Sequence, residues 1–302
     1  MVMRVATFAL SEQMIASALR TQSAVASKQL EESSGEVSAD YGGLGQSSQQ
    51  VISLQISVAR SQSYIDAATS ADNKTQAMSS AMTSISNLLN SFRATLTAAD
   101  SASADATATQ QNAQQLLQEM GSLLNTQYAG SYLFGGGQTA SPPVDVSTAS
   151  YPAMTSPSTA NTSYYKGDDE IMSARVSDSE TVSYGVTADN PAFEQALRAL
   201  NLVANNSPLS SDTLNEAMDL TKSAVDGVSD VQAGLGISSS TIQSASAAQS
   251  DYQSFAKSLG DNLTNVDVAA VTVQISTYTA QLEAAYSAIS KIQGLDLASY
   301  LH

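Results

Sequence analysis

Cysteine and tryptophan are absent from this 302-residue chain, and histidine occurs once, at His302. Without cysteine there is no disulfide, no thiolate metal site and no cysteine nucleophile. With its one imidazole at the last position, the chain has none to place inside a Ser-His-Asp triad or a zinc site. Basic residues are scarce as well: 12 Lys and Arg stand against 28 Asp and Glu, giving a net charge of −16 and a pI near 4.1. Nucleic acids and anionic membrane surfaces are bound mainly through Lys and Arg, so neither is an expected partner. No apolar run approaches the length of a membrane span, and the opening MVMRVATFALSEQ has neither a long apolar stretch nor a small-residue cleavage site. Membrane insertion and a cleaved export signal are therefore not expected. Aromatic residues make up only 6% of the chain, which favours elongated helices over compact domains with bulky cores.

What the chain does have is heptad-like spacing. Val268, Val271, Ile275, Tyr278, Leu282, Ala285, Ile289 and Ile292 step by three and four, an apolar stripe that on a helix runs for about 37 Å. Between Val268 and Ile292 the only charges are Glu283 and Lys291; the remaining outer positions are mainly Ser, Thr, Gln and Ala. Small uncharged side chains let other helices approach without desolvating ions, so this helix reads as one made for packing into an assembly. A plain intramolecular bundle would show the same heptads but has no need of charge-poor outer faces. Met78, Met82, Ile85, Leu89, Phe92, Leu96 and Ala99 predict a second long helix, extended backwards more weakly through Ala71, Ala68, Leu54 and Val51 to the break at Gly42, Gly43 and Gly45. A helix from about Leu10 to Glu32 carries Met14, Ala18, Val25 and Leu30, and another with Leu116, Met120, Leu123 and Leu124 ends near Gly130.

All six prolines lie between Pro142 and Pro208, in a Tyr-rich stretch with strand-like alternation at Ser163–Lys166, Ile171–Val176 and Val182, Tyr184 and Val186. Asn190-Pro191 then predicts a helix start, with Phe193, Leu197, Leu200 and Val203 on its apolar face and Asn205-Asn206 at its end. Heptads resume from Leu214 to Val266. The fold expected is mainly α with a small β-containing middle domain, a long antiparallel helical bundle with both termini at one end. Its divisions are 1–45, an N-terminal axial helix and turn; 46–137, the first half of a rod; 138–208, an exposed β-containing middle domain; 209–262, the second half of the rod; and 263–302, a C-terminal axial helix. The middle segment reads as a self-contained tip that a short linker could replace. The terminal stripes read as lacking a sufficient partner within one chain, so both ends are expected to fold on assembly.

No reading of chemistry survives inspection. Gly135-Gly136-Gly137 lacks the Lys-Ser/Thr of a phosphate loop, Asp168, Asp169 and Glu170 lack calcium-loop spacing, and Met78 with Met82 belongs to an apolar seam. No catalytic, cofactor or metal residue is assigned, and no enzyme activity is expected.

Three C-terminal segments, Asn265-Val266-Asp267-Val268-Ala269-Ala270, Leu282-Glu283-Ala284-Ala285-Tyr286 and Leu295-Asp296-Leu297-Ala298-Ser299-Tyr300-Leu301, resemble the terminal helix of the bacterial flagellin family. Arg4-Val5-Ala6-Thr7 and Ser33-Ser34-Gly35 resemble that family's opening and first turn, whereas Glu36-Val37 and Asp40-Tyr41-Gly42-Gly43 depart from its pattern. Gly130-Ser131-Tyr132-Leu133-Phe134-Gly135-Gly136 and Tyr165-Lys166-Gly167-Asp168 are similar to the branch found at the hook-filament junction. The resemblance implies a structural subunit of the flagellum, outside the cell, exported without a cleaved signal and assembled helically through its ends. Implied partners are further copies of itself, neighbouring axial proteins and an export chaperone. The residues expected to make the assembly interface are Leu10, Met14, Val25 and Leu30 with Val268, Val271, Ile275, Tyr278, Leu282, Ile289 and Ile292. Filament flagellin is the alternative within the family. A surface binding protein using Tyr151, Tyr164, Tyr165 and Tyr184 as an aromatic platform is the alternative outside it.

Overall fold

The computed structural model describes residues 2–100 and 106–293. The Leu295–Leu301 motif, His302 and most of the Asp100–Asp105 stretch lie outside the described residues. Six α-helices account for most of the rest: α1 (Val2–Ser34), α2 (Ser48–Ala99), α3 (Ala106–Leu124), α4 (Pro191–Asn205), α5 (Ser211–Thr264) and α6 (Val268–Gln293). Two antiparallel pairs of very short strands, β1 (Gln127–Tyr128) with β2 (Ser131–Tyr132) and β3 (Ser173–Arg175) with β4 (Thr181–Ser183), supply the β content. The chain is mainly α with a small β-containing middle, as its periodicity predicts. It divides into two compact units, one of Met1–Arg60 with Gln253–His302 and one of Ser61–Tyr252.

In the second unit the heptad of α2 does what its spacing requires. Met78, Met82, Ile85, Leu89, Phe92 and Leu96 are all fully buried, against Met120 and Leu124 of α3, Phe193, Leu197 and Leu200 of α4, and Val228 and Leu235 of α5. Hydrogen bonds from Gln232 to Thr83 and from Ser239 to Asp72 show α5 running antiparallel to α2.

The start of α4 follows from two residues. The Asn190 side chain accepts a hydrogen bond from the Ala192 amide at 3.0 Å, and Pro191 occupies a first-turn position where no amide hydrogen is needed. The helix α3 ends at Leu124, short of Gly130, because the chain turns into the β1–β2 hairpin instead. Ala129 (φ 49°) and Gly130 (φ 80°) form its two-residue turn, in the left-handed conformation that matches strand twist. The alternation at Ser163–Lys166 yields one isolated bridge, Val144 with Tyr165, rather than a strand.

Tertiary burial decides against the picture of residues 138–208 as a detachable tip. Val144, Tyr151, Tyr164 and the apolar face of α4 belong to the same core as α2, α3 and α5. Phe134 meets Phe193 edge to face at 6.1 Å, and Tyr151 meets Tyr164 likewise at 5.2 Å. Polar groups of α4 and α5 tether the intervening loop. Glu194 accepts from the Asn161 amide at 2.9 Å and lies 3.2 Å from Arg198; Asn201 accepts from Met154 and donates to Pro152; Glu216 accepts from the Ser158 amide at 2.8 Å.

Two measurements check this core. Leu197→Ala is expected to destabilise the second unit by about 2–5 kcal/mol in denaturant melts; a cost near zero would contradict the packing. Burial holds the phenols of Tyr151, Tyr164, Tyr165 and Tyr184 above the usual tyrosine range, with Glu194 adding to the effect at Tyr151 and Asp189 at Tyr165. Raised folded values stabilise the native state below the unfolded value of about 10 and lose that contribution as pH rises beyond it. Ultraviolet titration should therefore show four of the 12 tyrosines lagging the rest until the alkaline unfolding step.

Candidate assembly surface

In the first unit, α1 and α6 pack against each other antiparallel. Their inner ends are locked by backbone: Glu36 bridges Asn265, the Val37 amide donates to the Thr264 carbonyl at 2.7 Å, and the Val266 amide to the Gly35 carbonyl at 2.9 Å. Gly35 adopts φ 75°, the left-handed C-terminal geometry that ends α1. Asp267 restarts the chain as a helix by accepting from the amides of Ala269 and Ala270. One turn in, the Thr272 hydroxyl donates to Glu32 at 2.6 Å.

The terminal stripe of α6, expected to lack a sufficient partner within the chain, has α1 along one side. Val271 is buried, and Ile275, Tyr278, Leu282, Ala285, Ile289 and Ile292 are half-buried on the face turned to α1. Met14 and Val25 sit on the facing stripe of α1, in the series Ser11, Met14, Ala18, Thr21, Val25 and Lys28. Half of that series is polar, so the pair closes only a thin seam. Leu10, Leu30 and Val268 are not on it: they are 51%, 70% and 45% exposed.

Sequence reasoning missed a second apolar surface. Ile15, Leu19 and Ala26 each follow a seam residue by one position, which places them about 100° further round α1, and Leu30 continues the row one turn beyond Ala26. Leu19 is 60% exposed. On α6, Val273 and Tyr286 point outward as well. The signal was present as apolar residues spaced four and seven apart but was merged with the seam. Elsewhere in this unit Ile52, Ile56 and Phe255 are exposed, and a groove of about 310 Å³ lies between the first turns of α2 and the last turns of α5, floored by Val51 and Ala256.

The residues considered for chemistry have structural partners. Asp168 accepts from the amides of Gly137 and Glu170, so it holds the glycine turn closed. Tyr151, Tyr164 and Tyr184 are buried and Tyr165 is half-buried, which dismantles the aromatic platform. No group of residues suited to hold a metal occurs among the described residues, and no described helix is long and apolar enough to cross a membrane.

Residues 218–301 match the C-terminal helical region of bacterial flagellin. Over that region the chain is similar to flagellin. That match takes in most of α5 and all of α6, the helix that closes on α1. The chain is similar in fold to a protein of Vibrio parahaemolyticus described as a flagellar hook-associated protein, with a TM-score of 0.61 and 14% identity, covering 75% of this chain and 99% of that one. Looser likenesses, with TM-scores of 0.45 and 0.42, relate it to flagellar hook-associated protein 3 of Legionella pneumophila and to FlgL of Bacillus cereus. Their identities are 13% and 14%, and they cover 71% and 70% of this chain and 97% and 96% of those. No curated relative matches the sequence.

The thin α1–α6 seam should protect its amides poorly in a dilute monomer. Hydrogen exchange is expected to be faster across residues 275–289 than across 193–203 of α4, whose side chains are almost all buried. Equal protection would show the terminal pair to be self-sufficient.

Proposed function

We propose that this flagellin-like chain is a structural subunit of the bacterial flagellum, exported and then built helically into the axial structure through α1 and α6, at the hook-filament junction. The observation that carries the reading is the terminal helix pair, whose C-terminal member lies within the flagellin match and whose outer faces carry uncovered Ile15, Leu19, Leu30, Val273 and Tyr286. Soluble monomers rarely leave rows of large apolar side chains in water without a partner for them. Copies of the same chain and adjacent axial proteins would cover those rows, and an export chaperone would shield them beforehand. The segments Gly130–Gly136 and Tyr165–Asp168, similar to the junction branch, favour the junction over the filament itself, and a fold shared with a hook-associated protein of Vibrio is in keeping with that. Immunogold labelling of isolated flagella tests that choice: label at one point near the hook agrees with it, and label along the filament assigns the chain to filament flagellin.

The seam and the outer row separate under mutation. Leu19→Asp should leave the monomer folded yet block incorporation, since an unpaired carboxylate in a covered interface costs several kcal/mol and forfeits the ~1.5–3 kcal/mol of burying Leu. Ile289→Asp should in addition loosen α6 from α1 in the monomer. Motile cells with normal filaments from a strain carrying only Leu19→Asp would remove α1 from the assembly surface.

A further inference from the structure

The second unit holds two apolar clusters, not one. The larger, described above, reaches Met78 on α2 and Leu235 on α5; the smaller joins Ala68, Ala71 and Ile242 to Val176, Val182 and Tyr184 around the β3–β4 hairpin. Between them the contact of α2 with α5 turns polar. Buried Thr75 gives its hydroxyl to the Ala71 carbonyl of its own helix at 2.9 Å. The Asp72 carboxylate accepts from Gln76 at 2.7 Å, Ser239 at 2.5 Å and Gln243 at 3.1 Å, so α2 meets α5 through exchangeable side-chain hydrogen bonds rather than interlocked methyl groups.

Packing at this level is open. A gap of about 210 Å³ is lined by Thr75, Gln76, Ser79, Leu235, Gly236 and Ser239. In the same turns α5 carries Gly234 and Gly236, and a Cβ on either would meet nothing within 4 Å. Close packing therefore requires neither glycine, whereas Gly227, where a Cβ would stand 2.8 Å from that of Ala192, is needed for α4 to approach. Glycine in a helix interior weakens it by enlarging the freedom of the unfolded chain. The hairpin leaves the main core through Gly185 at φ 97°, where the nearest side-chain atoms are the flexible ends of Met78 and Met172.

We propose that residues 72–79 of α2 and 234–243 of α5 form a soft joint, at which the hairpin cluster opens and closes as a unit while the larger core stays intact. The joint lets the long helices flex at one level without exposing Phe92, Leu89 or Leu197, and it does not depend on what the chain assembles with.

Native-state hydrogen exchange on the full chain tests it. Amides of 234–243 are expected to exchange at least about tenfold faster than those of 217–228 in the same helix, with 173–183 opening in step. The double variant Gly234→Ala, Gly236→Ala should slow 234–243 by about tenfold and leave 217–228 unchanged. As a control, Gly227→Ala should speed exchange at 217–228 without slowing 234–243. Equal protection of the two stretches in the wild-type protein overturns the proposal. So does a double variant that leaves 234–243 unchanged or raises protection evenly along α5.

Discussion

The burial of α4 is the constraint that organises residues 61–252. Eleven of its fifteen residues are buried, including Glu194 and Asn201, and a helix so enclosed needs neighbours on every side. The helices α2, α3 and α5 supply part of that enclosure, and the irregular chain from Phe134 to Tyr164 supplies the rest. With no tryptophan and few phenylalanines, the bulk that fills the centre comes from Tyr151, Tyr164, Phe134, Phe193 and the methionines. Glu194 and Asn201, both buried on α4, accept from amides of the loop it covers, which fixes where that loop lies.

Long helices were legible in the sequence because their apolar spacing is regular over many turns. Every member of the stripe from Met78 to Leu96 is buried in α2, with Ala81 and Leu88 beside it, and Asn190-Pro191 marks the start of α4. The middle segment was less legible for a definite reason. Tyrosines alternating with polar residues have the pattern of half-buried strands, yet Tyr164 and Tyr151 are buried by tertiary contacts that no local pattern encodes, and only three residues of each later strand pair in the ladder.

At the termini the sequence disclosed the apolar positions but not their division into two rows. A thin helix carries seam and outer residues one position apart, so Met14 and Ile15, or Ala18 and Leu19, look like one patch in the linear chain. Lys28 on the seam was hidden for the opposite reason: its charge reads as solvent-facing, while its aliphatic stem lies on the inner face and its ammonium reaches Glu31 at 2.7 Å.

The backbone ties at Glu36 and Asn265 have a consequence for chain length. They stop α6 from sliding along α1, so the register of the whole terminal pair is set at one end. Adding or removing a single residue beyond the ties would turn every later side chain by about 100° with nothing to absorb the change. Residues that face the seam would leave it, and their sequence neighbours would take their place. For this pair of helices, spacing from the ties is as much a determinant of what faces outward as the identity of the side chains.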